Sequence, residues 1–147
     1  MPPVDGEEKR TNLGPLGRIL TLVEKELLPA QVIDHDAPRP TSPAPGTTRE
    51  YGEYLAVVCA ACHGEHFSGG AVPGESSDAP KAANLTTLAQ SWSEEDFIQA
   101  MRTGATPIGK QMDAKYMPWN RFRTLSDDEL KTLWLFFGTL EPREFEQ

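Results

Sequence analysis

Hydrophobic positions in this chain recur at three- and four-residue spacing. They never alternate with period two for long enough to propose a sheet. Four amphipathic helices follow from the pattern. Leu16, Ile19, Leu20, Val23 and Leu27 predict one from about Pro15 to Leu28, with Pro15 in its first turn and Pro29 ending it. Tyr51, Leu55 and Val58 predict a second from Thr48 to Cys59, and Gly52 offers a place where another helix can approach closely. Ser93 reads as an N-cap before the acidic first turn Glu94-Glu95-Asp96. Phe97, Ile98 and Met101 give that third helix its apolar face, and Gly104 ends it. Ser126 and Glu129 make a capping box for the last helix, whose buried face is Leu130, Leu133, Trp134, Phe136 and Phe137. The stretch from Gly64 to Ala83 is rich in Gly, Pro and Ser and reads as loop. The expected fold class is all-α.

The 147 residues fit one domain with some chain to spare. Pro38, Pro40, Pro43 and Pro45 make Ala37–Gly46 an extended, polyproline-like linker. The division expected is therefore an N-terminal extension and linker over residues 1–45 and a helical domain over 46–147. The stripe on the first helix is too small to fold alone and needs a surface to pack on. No internal repeat is visible. No apolar run approaches the roughly eighteen residues of a membrane span, and the first residues lack the basic and apolar regions of a signal peptide.

Net charge is −8, which argues against a nucleic-acid partner. The distribution says more than the sum. Residues 102–123 hold Arg102, Lys110, Lys115, Arg121 and Arg123 against Asp113 alone, so this segment carries +4 and the rest of the chain −12.

Residues 59–63 read Cys-Ala-Ala-Cys-His, the attachment signature of a c-type haem. Thioethers form at Cys59 and Cys62, and His63 then stands as the proximal iron ligand. Three rival readings are weaker. A redox-active Cys-x-x-Cys needs a βαβ setting that is missing around residues 50–75. A zinc site built with His66 would crowd four ligands into eight residues. A Cys59–Cys62 disulfide would close a very tight ring and leave His63 without a role. One covalent haem c is the cofactor expected.

The sixth ligand decides between electron transfer and ligand chemistry. Met101 lies on an apolar helix face and reads as core. His66 is on the proximal side, and His35 sits between two aspartates in the linker region. Met112 and Met117 lie in a loop between two helices, where the chain can pass over the distal face. Met117 is favoured, because Pro118 fixes the backbone after it and helps aim the thioether.

Cys59-Ala60-Ala61-Cys62-His63, Asn84-Leu85-Thr86, Gly104, Met117-Pro118 and the aromatic-rich last helix together resemble a class I c-type cytochrome over about residues 46–140. The resemblance implies the class I fold, with first and last helices crossing near a glycine and an aromatic, roles open to Gly52 and Phe136. It implies a proline carbonyl accepting the proximal imidazole N–H, from Pro73 or Pro80. It implies haem-propionate contacts by Asn84 and Thr86, or by Trp119. It also implies an exported, periplasmic location, with a native signal or membrane anchor upstream. Electrons would leave by a haem edge near the methionine loop, so the basic segment 102–123 would face an acidic surface on an oxidase, reductase or dehydrogenase. The function expected is a respiratory or periplasmic electron carrier, not an enzyme. The alternatives are a cytochrome module or subunit of a membrane-bound complex, for which the 45-residue extension would be a tether, and a haem sensor or peroxidase with a displaceable Met117.

Overall fold

The computed structural model describes residues 14–23, 34, 36–38 and 41–145. The chain divides into two units, residues 1–40 and 41–147. In the first, helix α1 spans Pro15–Val23 and leaves Leu16, Ile19, Leu20 and Leu22 exposed. The remainder of the helix expected to reach Leu28, and His35, lie outside the described residues.

In the second unit α2 is Arg49–His63. Thr48 caps it, its hydroxyl accepting from the Tyr51 N–H at 3.2 Å. The helix runs four residues beyond the Cys59 expected from periodicity, so the attachment pentad is its last turn rather than a loop after it. Helix α3 (Leu88–Ser91) is a single turn. Helix α4 is Glu94–Thr103, α5 is Trp119–Phe122 and α6 is Asp127–Phe137. The two caps expected at α4 and α6 are both complete capping boxes. Ser93 Oγ accepts from Asp96 N–H at 3.1 Å while Asp96 Oδ2 accepts from Ser93 N–H at 2.9 Å. The same exchange joins Ser126 and Glu129 at 3.2 and 2.7 Å. Each satisfies two N–H groups that a helix start would otherwise leave unpaired.

No strand occurs among the described residues. There are two isolated antiparallel bridges, Gly70 with Ala82 and Ala105 with Gln111. The all-α expectation holds.

The frame is the crossing of α2 on α6. It occurs at Gly52, where an added Cβ would meet the Thr132 carbonyl and lie 2.7 Å from Phe136 Cβ. The glycine and aromatic expected at the crossing are thus the ones used. Beneath it lies a core of Ala56, Leu85, Leu88, Phe97, Ala100, Met101, Leu130, Leu133, Phe136 and Phe137. Met101 is core, as its place on the α4 face implied. Arg102 fastens α4 to the start of α6: its guanidinium donates to Asp127 Oδ1 at 2.6 Å and to the Arg123 carbonyl. That contact holds the Asp127 carboxyl below the usual carboxylate range.

Candidate functional site

The last turn of α2 places Cys59, Cys62 and His63 within five residues of one helix. His63 faces the core side with Gly52 and Ala56 and is 7% exposed. Cys59 and Cys62 are half-buried and not cross-linked to each other. Burial, and secondarily the neighbouring Cys62 charge, push the Cys59 thiol up to about 11. Conversion to a thioether removes that proton altogether.

His63 Nδ1 lies 2.7 Å from the Ala83 carbonyl oxygen. A carbonyl only accepts, so this nitrogen carries the proton and donates it. Nε2 is then the nitrogen with the free lone pair. Burial lowers the His63 pKa, opposed in part by the Ala83 bond, so the imidazole is neutral near pH 7. A neutral ring with one nitrogen committed and the other available is the form a metal ligand needs.

The acceptor corrects the expectation drawn from the resemblance. It is Ala83, not Pro73 or Pro80, both of which are exposed in the intervening loop. The loop is folded to put Ala83 there. Gly70 N–H donates to the Ala82 carbonyl at 3.1 Å, Ala82 N–H returns a bond to Gly70 at 2.8 Å, and Leu85 N–H donates to Phe67 at 2.8 Å. Gly69, at φ 75°, lets the two strands of this loop close up: a Cβ there would sit 2.7 Å from the Ala83 oxygen.

Phe67 is a contributor that sequence reasoning missed. It is the one described non-glycine residue with positive φ, at 59°. Its ring packs edge-on against Phe136 at 5.5 Å and Phe137 at 5.8 Å. The aromatic packing fixes the loop immediately after the pentad. The signal was slight: one aromatic at the head of a Gly- and Ser-rich run. Ser68 beside it is 1% exposed, and its hydroxyl has no protein partner.

Met112 and Met117 are both half-buried against the core. Their segment is tightly built. Met112 N–H donates to the Gly104 carbonyl at 2.7 Å, and Met117 N–H to Asp113 at 2.9 Å. Pro118 follows as the N-cap of α5, so Met117 sits where a turn hands over to a helix. Trp119 lays its indole over Gly104 and donates from Nε1 to the Met112 carbonyl at 3.1 Å. Asn84 and Thr86 bond to each other and to the Arg143 backbone. The polar donors of these three side chains therefore have protein acceptors. His66 is exposed.

A family model for cytochrome c matches residues 50–141. No curated protein and no solved structure gives a significant match to the chain. The residues present suit the prosthetic group of that family: two unlinked sulfurs on one helical turn, and a neutral, oriented imidazole directly after them. Cytochrome c domains typically carry electrons and typically lie outside the cytoplasm. Among the described residues no helix is long and apolar enough to cross a membrane. The fold, the pentad and the match over most of the helical unit make this chain a member of the cytochrome c family, with haem c held covalently at Cys59 and Cys62.

Proposed function

We propose that the protein is a single-haem electron carrier in which His63 and Met117 would hold the iron, exchanging electrons with redox proteins outside the cytoplasm. The observation that carries this reading is the state of His63: buried, neutral, and held through Nδ1 by the Ala83 carbonyl, so that Nε2 is the donor. Haem c, once bound, supplies a one-electron Fe(III)/Fe(II) couple. His63 contributes a strong nitrogen donor of fixed orientation. Met117 contributes a soft, uncharged thioether that favours the ferrous state. Phe97, Trp134, Phe136 and half-buried Leu55 exclude water from the interior and favour the less charged state further. With His63 held by Ala83 and Met117 in its turn, both side chains would stay in place when the group is bound, so little protein reorganisation would oppose transfer.

Met117→Ala in the oxidised holoprotein should abolish the weak far-red absorption band of methionine–iron bonding and open the ferrous form to carbon monoxide. Met112→Ala should do neither. Loss of the band in Met112→Ala with retention in Met117→Ala would transfer the assignment to Met112.

The partner surface proposed is the basic segment. Arg102 is answered by Asp127, so the free positive rim consists of Lys110, Lys115, Arg121 and Arg123, all exposed. Ile108, 88% exposed at the tip of the turn bridged by Ala105 and Gln111, adds an apolar contact among them. A positive rim on an acidic protein orients it toward an acidic docking face on an oxidase, reductase or dehydrogenase, and acts chiefly on the association rate. Association with such a partner should slow as salt is added, despite the net charge of −8. A rate that rises with salt would remove the rim from the interface.

A further inference from the structure

The segment after α6 does not trail away from the domain. The Arg143 peptide is bonded on both sides by residues nearly sixty positions earlier. Arg143 N–H donates to Thr86 Oγ1 at 3.0 Å, and Asn84 Nδ2 donates to the Arg143 carbonyl at 2.7 Å. The two side chains are joined in turn, Thr86 Oγ1–H donating to Asn84 Oδ1 at 2.6 Å and Thr86 N–H to the same oxygen at 2.9 Å. Donors and acceptors match all the way round. The Thr86 hydroxyl gives one bond and takes one, and the Asn84 amide can stand only one way, with its oxygen toward Thr86. Asn84 and Thr86 thereby do for Arg143 what a neighbouring β-strand would do. Thr86 is 4% exposed, so a broken ring would leave buried polar groups unpaired, which is costly.

Asn84 follows directly on Ala83, whose carbonyl accepts the His63 proton. On its other side the loop is tied by the Gly70–Ala82 bridge and the Leu85–Phe67 bond. The Ala83 peptide is therefore clamped from two directions, by the loop after the pentad and by the chain's last described segment. Arg143 lies outside residues 50–141, the part matched to the family. The second clamp is an addition to the matched domain.

We infer that residues 141–145 are a positioning strap for the proximal ligand: Asn84 and Thr86 grip the Arg143 peptide, and that grip holds the Ala83 carbonyl against His63 Nδ1. Asn84 and Thr86 act through Ala83 and are positioning residues. The inference rests on His63 being the iron ligand, as proposed above. A firm Nδ1–H bond makes the imidazole a better donor to ferric iron, so loosening the strap raises the midpoint potential.

The test uses full-length holoprotein. Thr86→Val keeps the shape and removes the hydroxyl. Arg143→Pro removes the donated N–H from the ring together with the guanidinium and fixes φ, and Arg143→Ala is its control for the lost side chain. Thr86→Ser keeps the hydroxyl, and Arg143→Ala keeps the whole peptide. The readouts are solvent exchange of the His63 Nδ1–H by proton NMR and the midpoint potential. Thr86→Val and Arg143→Pro should each exchange that proton about tenfold faster, the shift that losing one hydrogen bond of ordinary net strength gives. Both should have raised potentials, while Thr86→Ser and Arg143→Ala match the wild type. Wild-type exchange and potential in Thr86→Val would overturn the strap. So would an Arg143→Ala change as large as that of Arg143→Pro, since the charge and not the peptide would then matter. A wild-type protein in which the His63 Nδ1–H shows no shift from the nearby iron would instead sink the ligand assignment beneath it.

Discussion

Gly104→Ala should lower the stability of the holoprotein by about 2–4 kcal/mol, from roughly 1 for the left-handed conformation and 1–3 for overpacking. Gly104 is the C-cap of α4 with φ 76° and ψ 2°, a conformation that any Cβ strains. The new methyl would also fall on the Trp119 indole, 2.6 Å from Nε1, and on the Gln111 amide. Gln111 is exposed and can swing away. The indole cannot do so without breaking its bond to the Met112 carbonyl. The Gly104 carbonyl itself accepts from Met112 N–H, so displacement at residue 104 passes into the segment that carries Met117. Two effects should therefore appear together: a lower denaturation midpoint and a weakened far-red methionine band. Gln111→Ala should not rescue Gly104→Ala, whereas shrinking Trp119 should recover part of the stability. A Gly104→Ala protein within about 0.5 kcal/mol of wild type, the range of inconsequential substitutions, would mean the indole is not fixed there.

Gly52→Ala sets two effects of opposite sign against each other. Within a helix the exchange is worth about 0.5–1 kcal/mol in favour of alanine. Against that stands the α2–α6 crossing, where the methyl meets the Thr132 backbone carbonyl and Phe136 Cβ at 2.7 Å. Thr132 is fully buried and Phe136 is 3% exposed, so neither has room to move. Overpacking of about 1–3 kcal/mol wins, and thermal denaturation should show a midpoint lower by several degrees for a domain of this size. Gly52→Leu cannot be accommodated by any small shift, and the helices should fail to dock. An alanine variant more stable than wild type would show that the helices separate freely and that propensity alone decides this position.

The parts legible in the sequence are those written in neighbouring side chains. Both helix starts could be read, Ser93 as an N-cap and Ser126 with Glu129 as a capping box, because the bonds that make them join residues only three positions apart. The crossing glycine was legible for a similar reason, since Gly52 in a helical pattern has no local purpose. Single-turn helices Leu88–Ser91 and Trp119–Phe122 are too short to carry a periodicity. The proximal acceptor was hidden more deeply: Ala83 acts through its carbonyl, a group every residue has, and only tertiary folding selects it. Asn84 and Thr86 entered the reading as haem-propionate contacts implied by the resemblance, whereas their partner in the structure is the Arg143 backbone. It lies 57 to 59 residues away in a segment with no pattern of its own, so nothing local in the sequence points to it.

One helix carries both the crossing and the haem attachment. Gly52, where α6 presses, and His63, the iron ligand proposed above, lie on the same buried face eleven positions apart, about 16 Å along the axis at the usual rise. No glycine, proline or irregular turn interrupts the helix between them. Such a rod transmits torque: a small roll of α2 under α6 turns the imidazole through the same angle. With His63 as the proposed ligand, the packing of the far end of the domain would bear on the metal centre, and substitutions at Thr132 or Phe136 should shift its redox properties.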